Sequence, residues 1–356
     1  MNNRLKNGIA LSIIPQIIIV KSLGSYPELV ENYYSKGLYP FISQSFRIAF
    51  GWFPLSIGDL IYTILIILAI RYIVVKRNQI RKNLKLFFRD IVLILSVAYF
   101  TFHLMWGFNY YRVPLSQTLD LKDTYTTNEL IMFTEKLIER TNKLQYEVTS
   151  DTSQIVNIPY NQKEIFQKTL EGYTELEFRY PFFSYKNPSL KKSIFSTALT
   201  YMGYGGYLNP FTSEAQVNSK IPNFRFPVVT GHEIGHQVGY SAENEVNFIG
   251  YLVTANNKDL YFKYSAAAYA LSYSLSEIKS RDETKFRELY ARLNRGVQKN
   301  YDELNKFWLA YENPFEPVFK SIFNTFLKAN NQEEGIKSYS LIVTLLVTYD
   351  IKYPIE

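Results

Sequence analysis

The sequence predicts an α-helical membrane segment of three spans followed by a mainly α, α+β domain with a small sheet. Three observations predict it. The long apolar stretches all lie before residue 108. The remainder reads as amphipathic helices with capping signals, broken by one strand-like stretch. Within that remainder, two of the chain's three histidines stand four residues apart, as His232-Glu233-Ile234-Gly235-His236. A length of 356 residues suits two domains. We expect a membrane anchor over 1–111 and a soluble domain over 112–356.

The first span is expected around Ile9–Val20, preceded by Arg4 and Lys6 and closed by Lys21. A cleaved signal shares that basic start and apolar middle, so anchor and signal both stand at this point. Ile57–Val75 and Ile91–Trp106 supply the second and third spans, the latter closed by Phe108, Tyr110 and Tyr111 as an aromatic boundary. Lys76–Lys85 between them carries five basic residues and no acidic one. The positive-inside tendency puts that loop, and the basic N-terminus, in the cytoplasm. The soluble domain is then extracytoplasmic, and the bilayer is a partner. Ser25–Pro54, rich in Tyr, Phe and Trp, reads as an interfacial helix. His103 reads as a packed residue, not a ligand.

Composition sets further limits. The chain is 47% hydrophobic and 17% aromatic, with net charge +7. Its basic residues form no long block, so nucleic acid is not an expected partner. With no cysteine, disulfides and thiolate metal sites are excluded.

In the soluble part, Thr126-x-x-Glu129 and Asn161-x-x-Glu164 are capping boxes. The first opens a helix with Leu130, Phe133, Leu137 and Leu144 on one stripe. The second is expected to close near Gly172. Ser193–Met202 reads as a strand, and Thr212–Asn218 as another. The latter, through Glu214, Ala215, Gln216, Val217 and Asn218, is a candidate sheet edge for an extended peptide. Pro227 suits the first turn of the motif helix, Gly239 its end, and Ser241 the cap of the next helix. Tyr261–Ile278, Ser280–Leu293, Tyr301–Tyr311 and Glu316–Ala329 are expected to be helical, with Leu341–Val347 as core.

Histidines four residues apart on a helix share one face, one turn apart. They offer two nitrogens to a Zn²⁺ ion, while Glu233, about 100° round the helix, is placed for general base. A catalytic zinc usually takes a third protein ligand. With no other histidine in the soluble part, that ligand should be a carboxylate. Glu243 and Glu245 both qualify. Glu243 is preferred because Asn247 shares its face and can hold a histidine's other ring nitrogen. Tyr339 and Tyr240 are candidates for stabilising an oxyanion.

His232-Glu233-x-x-His236 followed by Glu243-x-Glu245-Val246-Asn247-Phe248 resembles the gluzincin type of zinc metallopeptidase. Gly206–Asn218 and the N-terminal spans extend the likeness to a membrane-anchored bacterial family of unknown function related to zincins. The resemblance implies a zincin-like domain in the bacterial inner membrane, with Glu243 as third ligand and Asn247 at the Asp/Asn position. One feature departs from the pattern: only six residues separate His236 from Glu243. The expected activity is zinc-dependent hydrolysis of a peptide or protein substrate. The rival expectations are an inactive envelope scaffold or sensor and a zinc amidohydrolase acting on a non-protein amide.

Overall fold

The computed structural model describes residues 2–354, with the side chains of Tyr339 and Ser340 outside the description. The chain divides into two compact units. One comprises Met1–Val113 with Asn209–Glu214, the other Pro114–Leu208 with Ala215–Glu356.

The first unit is helical. α1 (Asn3–Gly24) is followed by Pro27–Leu29, a π-helix over Val30–Leu38, and α2 (Tyr39–Gly51). α3 (Ile57–Lys82) and α4 (Leu84–Met105) follow. Among the described residues two helices, α1 and α3, are long and apolar enough to cross a membrane, against the three expected. The third expected stretch lies almost wholly in α4, where polar groups just before and within the apolar run pair with α1. Arg89 donates to Asn3 and Asn7, Asp90 pairs with Lys6, and Ser96 accepts from Gln16.

The aromatic stretch between the first two spans is helical, as expected, though in three segments. Tyr34 and Tyr39 are buried while Tyr33, Phe41 and Trp52 are exposed. Arg112 meets the buried Glu31 through two hydrogen bonds of 3.0 and 2.8 Å. His103 is buried between Tyr99 and Phe102, with Nδ1 3.0 Å from the Tyr99 carbonyl, a packed residue as expected. Helix α3 starts with unpaired N–H groups, as every helix does. Ser56 takes the one on Asp59, and the Glu214 carboxylate takes those of Ile57 and Gly58 at 3.1 and 2.6 Å.

In the second unit, α5 (Thr127–Thr149) and α6 (Gln162–Arg179) both open with the predicted capping boxes. α6 runs past Gly172, which is no terminator. A Cβ there would lie 2.5 Å from the Val253 carbonyl, so the glycine permits a close helix crossing. β1 (Leu190–Lys192), α7 (Ser196–Met202), β2 (Gly206–Asn209) and β3 (Glu214–Val217) follow. The strand expected over Ser193–Met202 is therefore mostly helix. Ser193 turns the chain: its hydroxyl accepts from the Phe195 N–H and its carbonyl from the Ser196 hydroxyl. Such local bonds compete with a strand ladder.

The sheet has the order β1-β3-β2. β1 and β3 are parallel, with Leu190 opposite Ala215 and Lys192 opposite Val217. The motif helix α8 (Phe226–Gln237) and α9 (Glu243–Ala255) come next, then α10 (Leu260–Arg281), α11 (Glu283–Ala291), α12 (Arg295–Leu309), α13 (Glu316–Ala329) and α14 (Ile342–Lys352). α10 runs through the expected Ser280 cap. Asp282 caps α11 instead, accepting from the Lys285 N–H. The core gathers the α5 stripe with Phe248 and Leu252 of α9, Leu271 of α10, and Leu345 to Val347 of α14, the apolar run read as core.

Candidate metal centre

Two helices build the site. α8 carries Pro227 in its first turn, where a missing N–H costs nothing. Its imidazoles stand one turn apart, with ring centres 4.9 Å apart and planes at 87°. After Val238 the chain turns at Gly239, whose φ of 99° suits glycine. The cap of α9 is Ala242, not the expected Ser241. Glu243 and Glu245 thus fall in the first turn of α9, where the helix dipole favours carboxylates.

The Glu243 carboxylate faces both histidines. Its Oε2 lies 3.6 Å from His232 Nε2 and 4.0 Å from His236 Nε2. The ligating atoms of His232, Glu233 and His236 also lie within 4.8 Å of one another. Each histidine's remaining nitrogen meets an oxygen. His232 Nδ1 is 2.8 Å from Asn247 Oδ1, and His236 Nδ1 is 2.8 Å from the Tyr240 carbonyl. A carbonyl only accepts, so His236 Nδ1 carries the proton and its Nε2 keeps a lone pair. Asn247 Oδ1 also accepts from the Tyr269 hydroxyl at 2.6 Å. That second bond fixes the oxygen toward His232, which gives His232 the same tautomer.

Burial dominates the electrostatics. It pulls His232 down to about 3, with help from His236 and against the Asn247 hydrogen bond. It pulls His236 down to about 4, against the Tyr240 carbonyl. Both rings are therefore neutral at pH 7. Burial, and then the Glu243 charge, hold the Glu233 carboxyl well above the usual carboxylate range. Its Oε2 is buried with no hydrogen-bond partner among the described residues. Tyr204 is pushed up to about 12 by burial and by Glu243.

This donor set fits zinc. Ligands about 2.0–2.1 Å from a tetrahedral ion lie about 3.4 Å apart. The two Nε2–Oε2 separations are within about 0.6 Å of that spacing. Two neutral imidazoles and a carboxylate are ordinary zinc ligands, and the orphaned Glu233 oxygen points to a missing partner.

Glu245, the alternative ligand, is engaged elsewhere. Its Oε1 accepts from the Leu115 N–H at 2.6 Å, at the start of the short helix Leu115–Thr118. Two positions along a helix is a turn of about 200°, which points the two glutamates apart.

The substrate edge expected at Glu214–Asn218 is not an edge. β3 lies between β1 and β2. The Ala215 N–H donates to Ser189, the Ser193 N–H to Val217, and the Asn218 N–H to Gly205. All five residues are buried: Glu214 caps α3, and the Asn218 amide bonds Thr200 and the Tyr204 carbonyl. The strand beside the motif is β2, since a Cβ on Gly206 would lie 2.5 Å from Glu233 Oε1. Tyr240 is not at the site mouth either. It is fully buried against Phe183, and it serves the site through its carbonyl. The side chain of Tyr339 lies outside the described residues.

A cavity of ≈ 330 Å³ opens beside His232 and Glu233. Tyr204, Arg225, Tyr269, Tyr273 and Trp308 help to line it. None of these was singled out from sequence. Tyr204 lies just past the stretch read as a strand, and Tyr269 lies within Tyr261–Ile278, expected only to be helical.

Residues 34–347 match the family described as "Protein of unknown function (DUF3810)", and the chain belongs to that family. No curated protein and no solved structure matches it.

Proposed function

We propose that this family member is a membrane-anchored zinc-dependent hydrolase of peptide bonds. The observation that carries the reading is the convergence of both Nε2 atoms on the Glu243 carboxylate, with the Glu233 carboxyl in the same cavity. His232, His236 and Glu243 would hold the ion. A zinc ion there would supply polarisation of a carbonyl and acidification of a water. With a cation bound beside it the Glu233 carboxyl would ionise, and it then takes a proton from the attacking water and returns it to the leaving amine. Asn247 and the Tyr240 carbonyl keep the two imidazoles in the ligating tautomer. Tyr204, in the cavity wall and close enough to feel the Glu243 charge, is the hydroxyl best placed to meet a developing oxyanion. β2, the outer strand beside Glu233, is the sheet edge for an extended substrate.

For topology we propose that α4 crosses the bilayer beside α1. The two run parallel, with Asn3 and Ser12 of α1 bonded to Arg89 and Ser96 of α4. The chain then leaves on the side opposite the basic 76–85 run, which makes the hydrolase extracytoplasmic.

The test is metal analysis of the purified full-length chain, paired with a peptide-library digest by wild type and Glu233→Gln. We expect one zinc per chain in both proteins and cleavage by wild type alone. Absence of zinc, or cleavage by Glu233→Gln at the wild-type rate, overturns the reading.

A further inference from the structure

The cavity beside the motif contains one guanidinium that no carboxylate neutralises. Two cations line it, Arg225 and Lys320. Lys320 is paired with Glu316 at 2.6 Å. Arg225 forms no ion pair among the described residues. It lies 4.2 Å over the Tyr269 ring, and its Nη1 donates to Ser272 Oγ at 3.3 Å. These contacts orient the guanidinium while leaving its fork of donors largely unspent. His232, Glu233 and Asn247 line the metal-centre end, and much of the remaining wall is apolar, with Ile221, Val228, Val229, Leu304, Trp308 and Phe323. A half-buried arginine in such a setting selects a planar anion, and a carboxylate takes two parallel hydrogen bonds from it.

Arg225 is also tied to the metal centre. The ring beneath it belongs to Tyr269, whose hydroxyl holds Asn247, which holds His232. A carboxylate on Arg225 would therefore sit in the cavity that His232 and Glu233 also line, joined to His232 through Tyr269 and Asn247.

We propose that Arg225 is a specificity-determining residue that binds a carboxylate of the substrate, so that the cavity takes peptides with an anionic end. This rests on the hydrolase reading for its biological meaning, though the binding itself does not need turnover. The carboxylate has two sources, a free C-terminus or an acidic side chain, and the experiment separates them.

The full-length chain in detergent, carrying Glu233→Gln to prevent cleavage, is titrated with three N-acetylated tripeptides. One is apolar with a free C-terminus, the second is its amide, and the third is an amide ending in glutamate. Binding is read by calorimetry and by the emission of Trp308 in the cavity wall. A charge-assisted pair predicts the free acid to bind roughly ten- to a hundred-fold tighter than the plain amide. Arg225→Met removes that preference and Arg225→Lys keeps part of it, with zinc content and helix content unchanged in both. The glutamate amide matching the free acid assigns the site to acidic side chains, and its matching the plain amide assigns it to C-termini. Both outcomes support the proposal. Loss of any acid preference in the parent, or its survival in Arg225→Met, overturns it. Acid preference in binding without cleavage by Glu233-containing protein sinks the hydrolase reading and leaves the carboxylate site standing.

Discussion

Gly206→Ala is the sharpest probe of how the sheet holds the base. The added Cβ would lie 2.5 Å from the Gln216 carbonyl oxygen, 2.5 Å from Glu233 Oε1 and 2.8 Å from Glu233 Cδ. Ordinary contact begins near 3.4 Å, so the overlap is about 0.9 Å on two sides at once. The Gln216 oxygen belongs to the central strand and is held by its ladder. The Glu233 carboxylate is a side chain and yields first. Overpacking of this size costs roughly 1–3 kcal/mol of stability. A base displaced by about 1 Å loses roughly a hundred-fold in rate. Zinc should stay, because none of its three proposed ligands is touched. Gly205→Ala is the control: its Cβ meets only the Val229 side chain, at 3.3 Å. The assay is peptide turnover beside bound zinc and melting temperature, for wild type and both variants. Wild-type turnover by folded Gly206→Ala would refute the claim that this glycine exists to seat Glu233. Loss of zinc from Gly206→Ala, with turnover falling only in step, would refute it equally.

Three further perturbations separate ligand from scaffold. Glu243→Ala should lose the metal. Glu245→Ala should keep it and lose roughly 1–3 kcal/mol, because the Leu115 N–H is left unpaired in the interior; zinc analysis and denaturant melts read both. Asn247→Ala, which frees His232 Nδ1 and the Tyr269 hydroxyl, should weaken zinc about 10–100-fold in a chelator competition. Asp259 predicts an acid limb in stability. Burial pushes its carboxyl up, but the hydrogen bonds from Tyr160 and Lys168 outweigh burial and hold it below the ordinary 3.8. A carboxyl depressed in the folded state stabilises fully above its unfolded value and loses that contribution as pH falls through the folded one. Melting temperature should therefore fall below about pH 4, and Asp259→Asn should flatten that limb; an unchanged limb in the variant removes Asp259 as its cause.

How much was legible follows from how local each signal is. His232, Glu233 and His236 were readable because a helix fixes the geometry of residues four apart. The capping boxes at Thr126 and Asn161 were readable for the same reason. Glu243 against Glu245 was half readable. The 200° between them says they part, but not which faces the histidines, and the Leu115 N–H that engages Glu245 lies 130 residues away. Strand identity without strand order misled. The alternation at Glu214–Val217 correctly gave a strand, yet no local pattern says that β1 covers its outer side. Arg225, Tyr269 and Tyr204 were invisible because each acts through a neighbour on another element. The third expected span was the least legible, since hydropathy counts apolar residues and does not see that Arg89, Asp90 and Ser96, before or within that stretch, each have a partner on α1.

The short gap between His236 and Glu243 departs from the gluzincin pattern, yet packing still brings the Glu243 carboxylate to both histidines. The loop is itself part of the site. The Tyr240 N–H returns to the Gly235 carbonyl at 3.1 Å, which aims the Tyr240 carbonyl at His236 Nδ1. A longer loop would have no such obligation. The remaining difficulty is to bring two helix backbones close enough for a first-turn glutamate to reach both imidazoles. Glycines solve it. A Cβ on Gly250 would lie 2.6 Å from the Val228 carbonyl and 3.0 Å from the His232 nitrogen, and one on Gly231 would lie 3.1 Å from the Gly250 Cα. α8 and α9 therefore meet backbone to backbone at Gly231 and His232. Six residues suffice because the seam, and not the loop, sets the distance from Glu243 to the histidines.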